Sequence, residues 1–435
     1  MSERRTIIIG GGLAGVTSFY ELTTRNRPAL LLERESAVAR GASFANGGML
    51  HPSLPEAWNN PRMSGQLLAA LAHPASQLNW RDLWHALGWS IGFLRQTTPA
   101  RTAAIAHANF ALAAYSTRQT VALQKNLNLQ FAHHAGGSVK IFRTPKSRDA
   151  ALYLADRLAP HGLNYKLLPR TALESEVPAL KNTDPRIIGA LHFPDDWHGD
   201  ARVFCEALLA TALAKGGAIR TQARVNHLLV EKDKIVGVRL DGGETLYGDV
   251  VLCAGVDAPQ LAAQAGVHLP IRPVKGYSIT LPSPLASTKK TPRLTHVLVD
   301  TALHIGITPL GQMIRISGLT DFVSMADFTS TDRLNPKRLQ ILRQFFAKTL
   351  PDMAQAIDWQ SAENWCGLRP MSADGRPFIG ASGVGGLWLN CGHGQLGWTM
   401  AVGSARILAA QMMGAPPEID ATAFSPNPAQ RRNLY

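Results

Sequence analysis

The stretch TIIIGGGLAG at residues 6–15 decides how the chain reads. Its four β-branched residues, Thr6 to Ile9, predict a short strand that stops at glycine. Residues 13–24 carry apolar side chains at Leu13, Val16, Phe19, Tyr20 and Leu22, which is helical spacing, and residues 29–32 read as a second strand ending on Glu33. Gly10, Gly12 and Gly15 form GxGxxG at the strand–helix turn. The first glycine permits the turn, the second lets the backbone approach a pyrophosphate, and the third lets the helix pack closely on the strand. The N–H groups of the first helical turn, with Leu13 and Ala14, then face the phosphate charge. Glu33, 23 residues after Gly10, is placed to accept hydrogen bonds from ribose hydroxyls. The glycines alone are a weak signal. Strand, helix and terminal acid together point to a bound dinucleotide, with NAD and FAD both open.

The rest of the chain sets the frame. With 435 residues, 46% hydrophobic and 17% charged, it is long enough for two packed domains of a globular α/β protein. The net charge of +13 is spread out, its densest runs being Arg4-Arg5, Lys289-Lys290 and Arg431-Arg432. Without zinc-finger spacing or interleaved aromatics, nucleic acid is not an expected partner. The charge suits a solvated basic surface or peripheral contact with an anionic membrane. Cys205, Cys253, Cys366 and Cys391 show no CxxC spacing, so reduced thiols, a cytoplasmic location and no metal site are expected. The basic, apolar start resembles a signal peptide, but its glycines serve the turn and no clean cleavage site follows, so targeting is not expected. No apolar run reaches membrane-spanning length.

Along the chain, residues 61–130 read as several helices, with Trp80, Trp84, Trp89 and Phe93 as helix-packing core. A strand at 138–143 and helices at 147–159 and 200–215 follow. Residues 219–229, 235–240 and 245–253 read as a meander turning at Asp241-Gly242-Gly243 and closing on CAGVDAP, where Gly255 allows a sharp turn beside the cofactor. Residues 271–322 alternate as an antiparallel sheet, 334–350 as a helix, 387–390 as a strand and 399–412 as a last helix. The fold expected is α/β: a Rossmann-like dinucleotide-binding domain, which the resemblance described next makes FAD-binding, interleaved with an α+β substrate domain on an antiparallel sheet. The cofactor domain is assigned residues 1–80, 145–160, 198–260 and 345–420, the substrate domain 81–144, 161–197 and 261–344, with 421–435 as a tail.

Further motifs select the flavin. GASFANGGML at 41–50, FPDDWHGDARVF at 193–204, VVLCAG at 250–255, PVKGYSIT at 273–280, WCGLRPMSADGRPFIG at 365–380 and LNCGHGQLGWTMAVGSARILA at 389–409 occur in one order. With them the chain resembles the D-amino acid dehydrogenase small-subunit family, within the FAD-dependent D-amino acid oxidase and glycine oxidase superfamily. The resemblance implies FAD lying extended across the first domain. It places Gly10, Gly12, Gly15, Glu33 and Arg34 at the adenosine and pyrophosphate end, and Val225 near the adenine. Ser43, Ala45, Asn46, Gly47, Gly48 and Met49 would run beside the ribityl chain and ring. Gly392, His393, Gly394, Gln395, Leu396 and Gly397 would approach the pyrimidine side, where backbone N–H groups can stabilise negative charge developing at N1 and O2.

The substrate side is less sharply marked. Arg369, in GLRP, is a candidate for binding the flavin or a substrate carboxylate through two parallel charged hydrogen bonds. Arg315 in MIRISG is a second candidate on the substrate sheet, and Tyr277, His51 and His304 are candidates to face the pocket. Trp197 and His198 suit a loop rim. Oxidase relatives place an arginine shortly before a strand ending in Gly-x-Thr, but here Thr308-Pro309-Leu310 stands in that region, so their carboxylate clamp does not carry over. The resemblance implies oxidative deamination of a D-amino acid by hydride transfer to flavin N5, with electrons passing to a quinone or another non-oxygen acceptor. A glycine or sarcosine oxidase and a cyclic imino acid dehydrogenase are the enzymatic alternatives, and a non-enzymatic flavin-binding protein is the remaining one.

Overall fold

The computed structural model describes residues 5–56, 97–284, 292–323 and 334–432. The expected helix-packing aromatics Trp80, Trp84, Trp89 and Phe93, and the Lys289-Lys290 pair, lie outside these residues. Strand β1 (Thr6–Ile9), helix α1 (Leu13–Thr24) and strand β2 (Ala29–Leu32) form as the opening motif requires. In one six-stranded sheet β1 lies between β2 and the strand Asp249–Leu252, with Ala218–Arg220 beyond β2 and Leu387–Cys391 beyond Asp249–Leu252. These five are parallel, and Phe378–Ala381 closes the edge antiparallel.

Both faces of this sheet are covered, as a parallel sheet demands. Ile8, Leu31 and Val251 point into a core built with Val16, Phe19, Phe204, Leu208 and Ile407. Ile7, Ile9, Leu30, Leu32, Val250 and Leu252 point the opposite way, against Val225, Leu228, Ile235 and Val238. The helices filling the first core are α1, α2 (Pro99–Leu127), and, further on, the helices Ala201–Ala214 and Ala401–Met412.

The expected meander is therefore divided. Ala218–Arg220 joins the parallel sheet, and the chain crosses through Gln222, at φ +54°, into a three-stranded antiparallel layer of Val225–Glu231, Lys234–Leu240 and Thr245–Tyr247. Its last stretch breaks at Gly248, where a Cβ would lie 2.3 Å from the Arg5 carbonyl oxygen, and Asp249–Leu252 returns to the parallel sheet.

A second sheet has eight strands. In chain order they are β3 (Ser138–Phe142), β4 (Lys166–Pro169), β5 (Gly189–Phe193), β6 (Ile271–Pro282), β7 (Val297–Asp300), β8 (Ile305–Leu310), β9 (Met313–Phe322) and β10 (Glu363–Ser372). Their spatial order is β10-β6-β9-β8-β7-β3-β5-β4. All pair antiparallel except β3 with β7, so the sheet is mixed rather than wholly antiparallel. Ile279, Leu281, Ile307, Ile314 and Ile316 face Leu342, Phe345 and Phe346 of the helix Pro336–Thr349.

Three segments pack differently from the domain boundaries expected of the sequence. Helix α2 lies against Ala401–Met412, because Ser116 and Gly403 are small enough to touch: a Cβ on Gly403 would sit 2.7 Å from that of Ser116. Helix α3 (Pro145–Leu158) packs through Ala151, Ala155 and Leu158 onto Phe142, Leu191 and Phe193 of the eight-stranded sheet. Strand β10 pairs with β6 and so belongs to the eight-stranded sheet. Among the described residues no helix is long and apolar enough to cross a membrane. The described cysteines are free thiols, with Cys205, Cys253 and Cys391 buried and Cys366 partly so.

Candidate active site

A cavity of about 970 Å³ runs along the junction of the two sheets, from Glu33 at one end to Arg369 at the other. At the Glu33 end the backbone has no room for side chains. Gly10 adopts φ +101°, and a Cβ there would lie 2.7 Å from the Cys253 carbonyl oxygen. A Cβ on Gly15 would lie 1.7 Å from the Gly10 oxygen, so this glycine serves packing and, unlike Gly10, Gly12, Leu13 and Ala14, does not line the cavity. Gly12 caps α1 without a side-chain cap, and the first turn holds no acidic residue. The Leu13 N–H donates to Ser43 Oγ at 3.1 Å. This helix end accordingly offers backbone donors and favourable dipole to an anion.

Glu33 is buried at the tip of β2. Its Oε2 accepts from the Gly11 N–H at 2.6 Å and its Oε1 from the Glu35 N–H at 2.8 Å, which fixes the carboxylate at the cavity wall. Gly11, which the spacing rule passes over, is glycine for a reason: a Cβ would sit 2.8 Å from that Oε2. Arg34 pairs with Asp257 at 2.5 Å, and Val225 and Gly255, the latter at φ +57°, complete this end.

In the middle, residues 45–48 lie along the cavity and are fastened by the eight-stranded sheet. Ser278 Oγ donates to the Ala45 oxygen at 2.7 Å, Thr308 Oγ1 to the Gly47 oxygen at 2.6 Å, and Arg315 Nη1 to the Asn46 oxygen at 3.1 Å. Asn46 Oδ1 accepts the Gly48 N–H at 3.0 Å. Arg315 is otherwise committed to Thr280 Oγ1 at 2.9 Å and to Asp200 Oδ2 at 3.0 Å, and it does not line the cavity. Its expected role as a substrate anchor is corrected: it ties the two sheets together, since Asp200 also caps the helix Ala201–Ala214.

At the far end Arg369 lines the cavity from β10. Its Nη1 donates to the Leu319 oxygen at 3.0 Å, and no carboxylate among the described residues pairs with it. Burial lowers its pKa to about 10, leaving it charged at neutral pH. The guanidinium lies across Gly276, whose Cβ would come within 2.3 Å of Nη2. His304, at φ +52°, lines the same end, and desolvation followed by the Arg369 charge lowers its pKa. Tyr277 also reaches the wall, but its hydroxyl donates to Asp321 Oδ2 at 2.7 Å; burial and that bond raise its pKa, so it stays a neutral phenol.

Met49, His51, Gly392 to Gln395 and Gly397 also line the cavity. Gly392 and Gly394 take φ of +80° and +56°. His393 Nε2 and Ser404 Oγ are 3.1 Å apart, and burial pushes the imidazole down to about 4. His51 is likewise lowered to about 4 by burial, and its Nδ1 has no hydrogen-bond partner. Both are neutral at physiological pH. Gln395 reaches out to the Glu56 carbonyl oxygen at 2.8 Å. Leu396 is corrected: it turns into the core with Trp398 and does not line the cavity. Trp197 and His198 pair with Met49–Leu50 in a two-stranded ribbon and do not line it either.

Lys140 also lines the cavity, buried on β3 and 3.4 Å from Glu56. Nothing in SVKIF distinguishes it from an exposed strand lysine, and only the sheet order reveals its position. The whole is a long groove with anion-binding backbone at one end and a carboxylate-free guanidinium at the other. It has the size and lining of a site for an extended dinucleotide and a small anionic ligand together.

A family model described as FAD dependent oxidoreductase matches residues 5–411. A D-amino acid dehydrogenase of Cereibacter sphaeroides is 34% identical over 429 residues, covering 96% of this chain and 93% of the relative. Among solved structures, an L-proline dehydrogenase from P. horikoshii superimposes with a TM-score of 0.76 at 17% identity, covering 99% of this chain and 98% of that one. A glycine oxidase from Bacillus cereus gives 0.71 at 20% identity, covering 94% and 95%. These structural likenesses concern the fold.

Proposed function

The chain belongs to the FAD dependent oxidoreductase family, and from that premise we propose that it oxidises D-amino acids to imines, which hydrolyse to oxo acids and ammonia. The residues present fit the cofactor. Gly10 and Gly12 leave the backbone bare at the α1 N-terminus, Glu33 presents a fixed carboxylate for ribose hydroxyls, and residues 45–49, Gly392 to Gln395 and Gly397 line the inner length of the cavity. When bound, FAD supplies the acceptor for the hydride leaving the amine-bearing carbon.

The observation that carries the substrate reading is Arg369, half-buried, with its guanidinium facing the cavity and no carboxylate partner among the described residues. It binds the substrate carboxylate by charged hydrogen bonds, and Gly276 leaves the space that lets it lie flat. The surrounding walls exclude water and fix the carbon being oxidised. His51 and His393, neutral at working pH, add no positive charge to the cavity lining. A dedicated protein base is unnecessary if the amine arrives neutral. The domain division follows the two sheets, with the opening motif holding FAD and β6 to β10 holding substrate.

The net charge of +13 supports docking on the anionic cytoplasmic face of a membrane, where a quinone would take the electrons. Stopped-flow reoxidation of substrate-reduced enzyme tests the acceptor: a soluble quinone is expected to react much faster than oxygen, and fast oxygen turnover overturns it. Including proline and N-methyl amino acids in the panel tests the substrate class, since preference for these would assign a secondary-amine dehydrogenase or oxidase instead.

A further inference from the structure

Outside the cavity, histidines gather where β3, β5 and β7 run side by side. His192 is the penultimate residue of β5, and His296 immediately precedes β7. Their rings meet edge to face at 5.2 Å, while His134 and His198 stack at 5.4 Å nearby. Helix α4 (Arg170–Glu176) ends beside them on Glu176. None of Glu176, His192 and His296 lines the cavity.

Three observations single out this trio. One ligand atom from each of Glu176, His192 and His296 lies within 4.8 Å of the other two. His192 Nε2 is buried without any hydrogen-bond partner, and the room around it is kept by Gly137, whose Cβ would lie 2.7 Å from that nitrogen. The His296 ring is oriented by Thr295 Oγ1, 3.0 Å from Nδ1, which leaves Nε2 facing Glu176 Oε1 at 4.0 Å. We propose that Glu176, His192 and His296 form a binding site for a divalent transition metal, zinc being the best fit, separate from the flavin cavity.

Two imidazoles and one carboxylate are the donor set such ions prefer, with water free to complete the shell. The second nitrogen of His296 is held by Thr295, as ligating histidines generally are. A simple His296–Glu176 ion pair would need the protonated ring and would leave His192 Nε2 without a partner. Bonds of roughly 2.0–2.2 Å to the ion require the three ligand atoms to draw closer, and Glu176 is free to do so at the exposed end of α4. The ion would pin α4 to β5 and β7.

The test uses untagged FAD-loaded protein, stripped with a chelator and titrated with Co²⁺ and Zn²⁺. One Co²⁺ per chain with tetrahedral ligand-field absorption is expected, together with a rise in Tm on adding Zn²⁺. His192→Gln and His296→Ala should weaken binding about tenfold or more and abolish the Tm rise. Glu176→Gln, at an exposed helix end, should also weaken binding, and its intact flavin spectrum shows that the fold survives. No saturable binding, or equal affinity in wild type and Glu176→Gln, overturns the proposal.

Discussion

Replacing Arg369 tests the substrate reading hardest, because its effect should depend on the substrate. The guanidinium makes one described protein bond, to the Leu319 oxygen at 3.0 Å, and leaves the rest of its fork to the cavity. Two charged hydrogen bonds to a substrate carboxylate are worth about 1.5–3 kcal/mol each. Arg369→Ala should therefore lower kcat/KM for an amino acid by roughly 10²- to 10⁴-fold, since every 1.4 kcal/mol is a factor of ten. The loss should fall mainly on KM, because the carboxylate is bound alike in the ground and transition states. Arg369→Lys should recover part of it, keeping charge but losing the fork. Gly276→Ala should act in the same direction, since its Cβ would come within 2.3 Å of the guanidinium. The assay is steady-state turnover with an artificial electron acceptor, comparing an amino acid with the corresponding amine that lacks the carboxylate. The variant should barely affect the amine. Equal losses on both compounds, or an unchanged KM for the amino acid, would refute the reasoning.

Three other outcomes follow from the same structure. Arg315→Ala should lower stability by about 1–3 kcal/mol by removing the guanidinium that pairs with the half-buried Asp200, seen as a drop in Tm, with KM nearly unchanged in whatever enzyme stays folded. Glu33→Gln should weaken FAD retention by about 1–3 kcal/mol, measured by equilibrium dialysis, because the acceptor for the Gly11 N–H and the ribose loses its charge. Asp196, buried and bonded to Ser53 and Ser138, is raised by burial from 3.8 to about 7. Its contribution to stability is full below pH 3.8 and lost as pH climbs through 7, on the order of 4 kcal/mol in all. Asp196→Asn should therefore gain Tm relative to wild type between pH 5 and about 8, and parallel curves would contradict this. His51 and His393 act in the opposite sense, their contribution being full above 6.5 and lost as pH falls towards about 4.

Local signals carried far in this chain. Residues 6–33 state their own structure, because strand, glycine turn, helix and terminal acid are all set by near neighbours. Ser43, residues 45–49, Val225 and Gly392 to Gln395 were legible through motif order, and they do line one cavity. What sequence could not carry was pairing between distant segments. Arg315 reads as a free cation until β9 is laid beside β6 and Asp200 comes within 3.0 Å. Leu396 shares a motif with cavity residues but points the other way. The 219–229 and 245–253 stretches have one hydrophobic pattern each, yet each serves two sheets, because Gln222 and Gly248 break them. Gly11 and Lys140 owe their roles to Glu33 and Glu56, partners that spacing rules do not count.

The central claim is that this groove holds FAD against the amine-bearing carbon of a D-amino acid. Anaerobic titration of the FAD-loaded enzyme with paired D- and L-amino acids, followed by flavin absorbance, tests it most directly and independently of any acceptor. Bleaching by D-enantiomers is the expected result. Bleaching by L-enantiomers alone, or none with any amine, would contradict it.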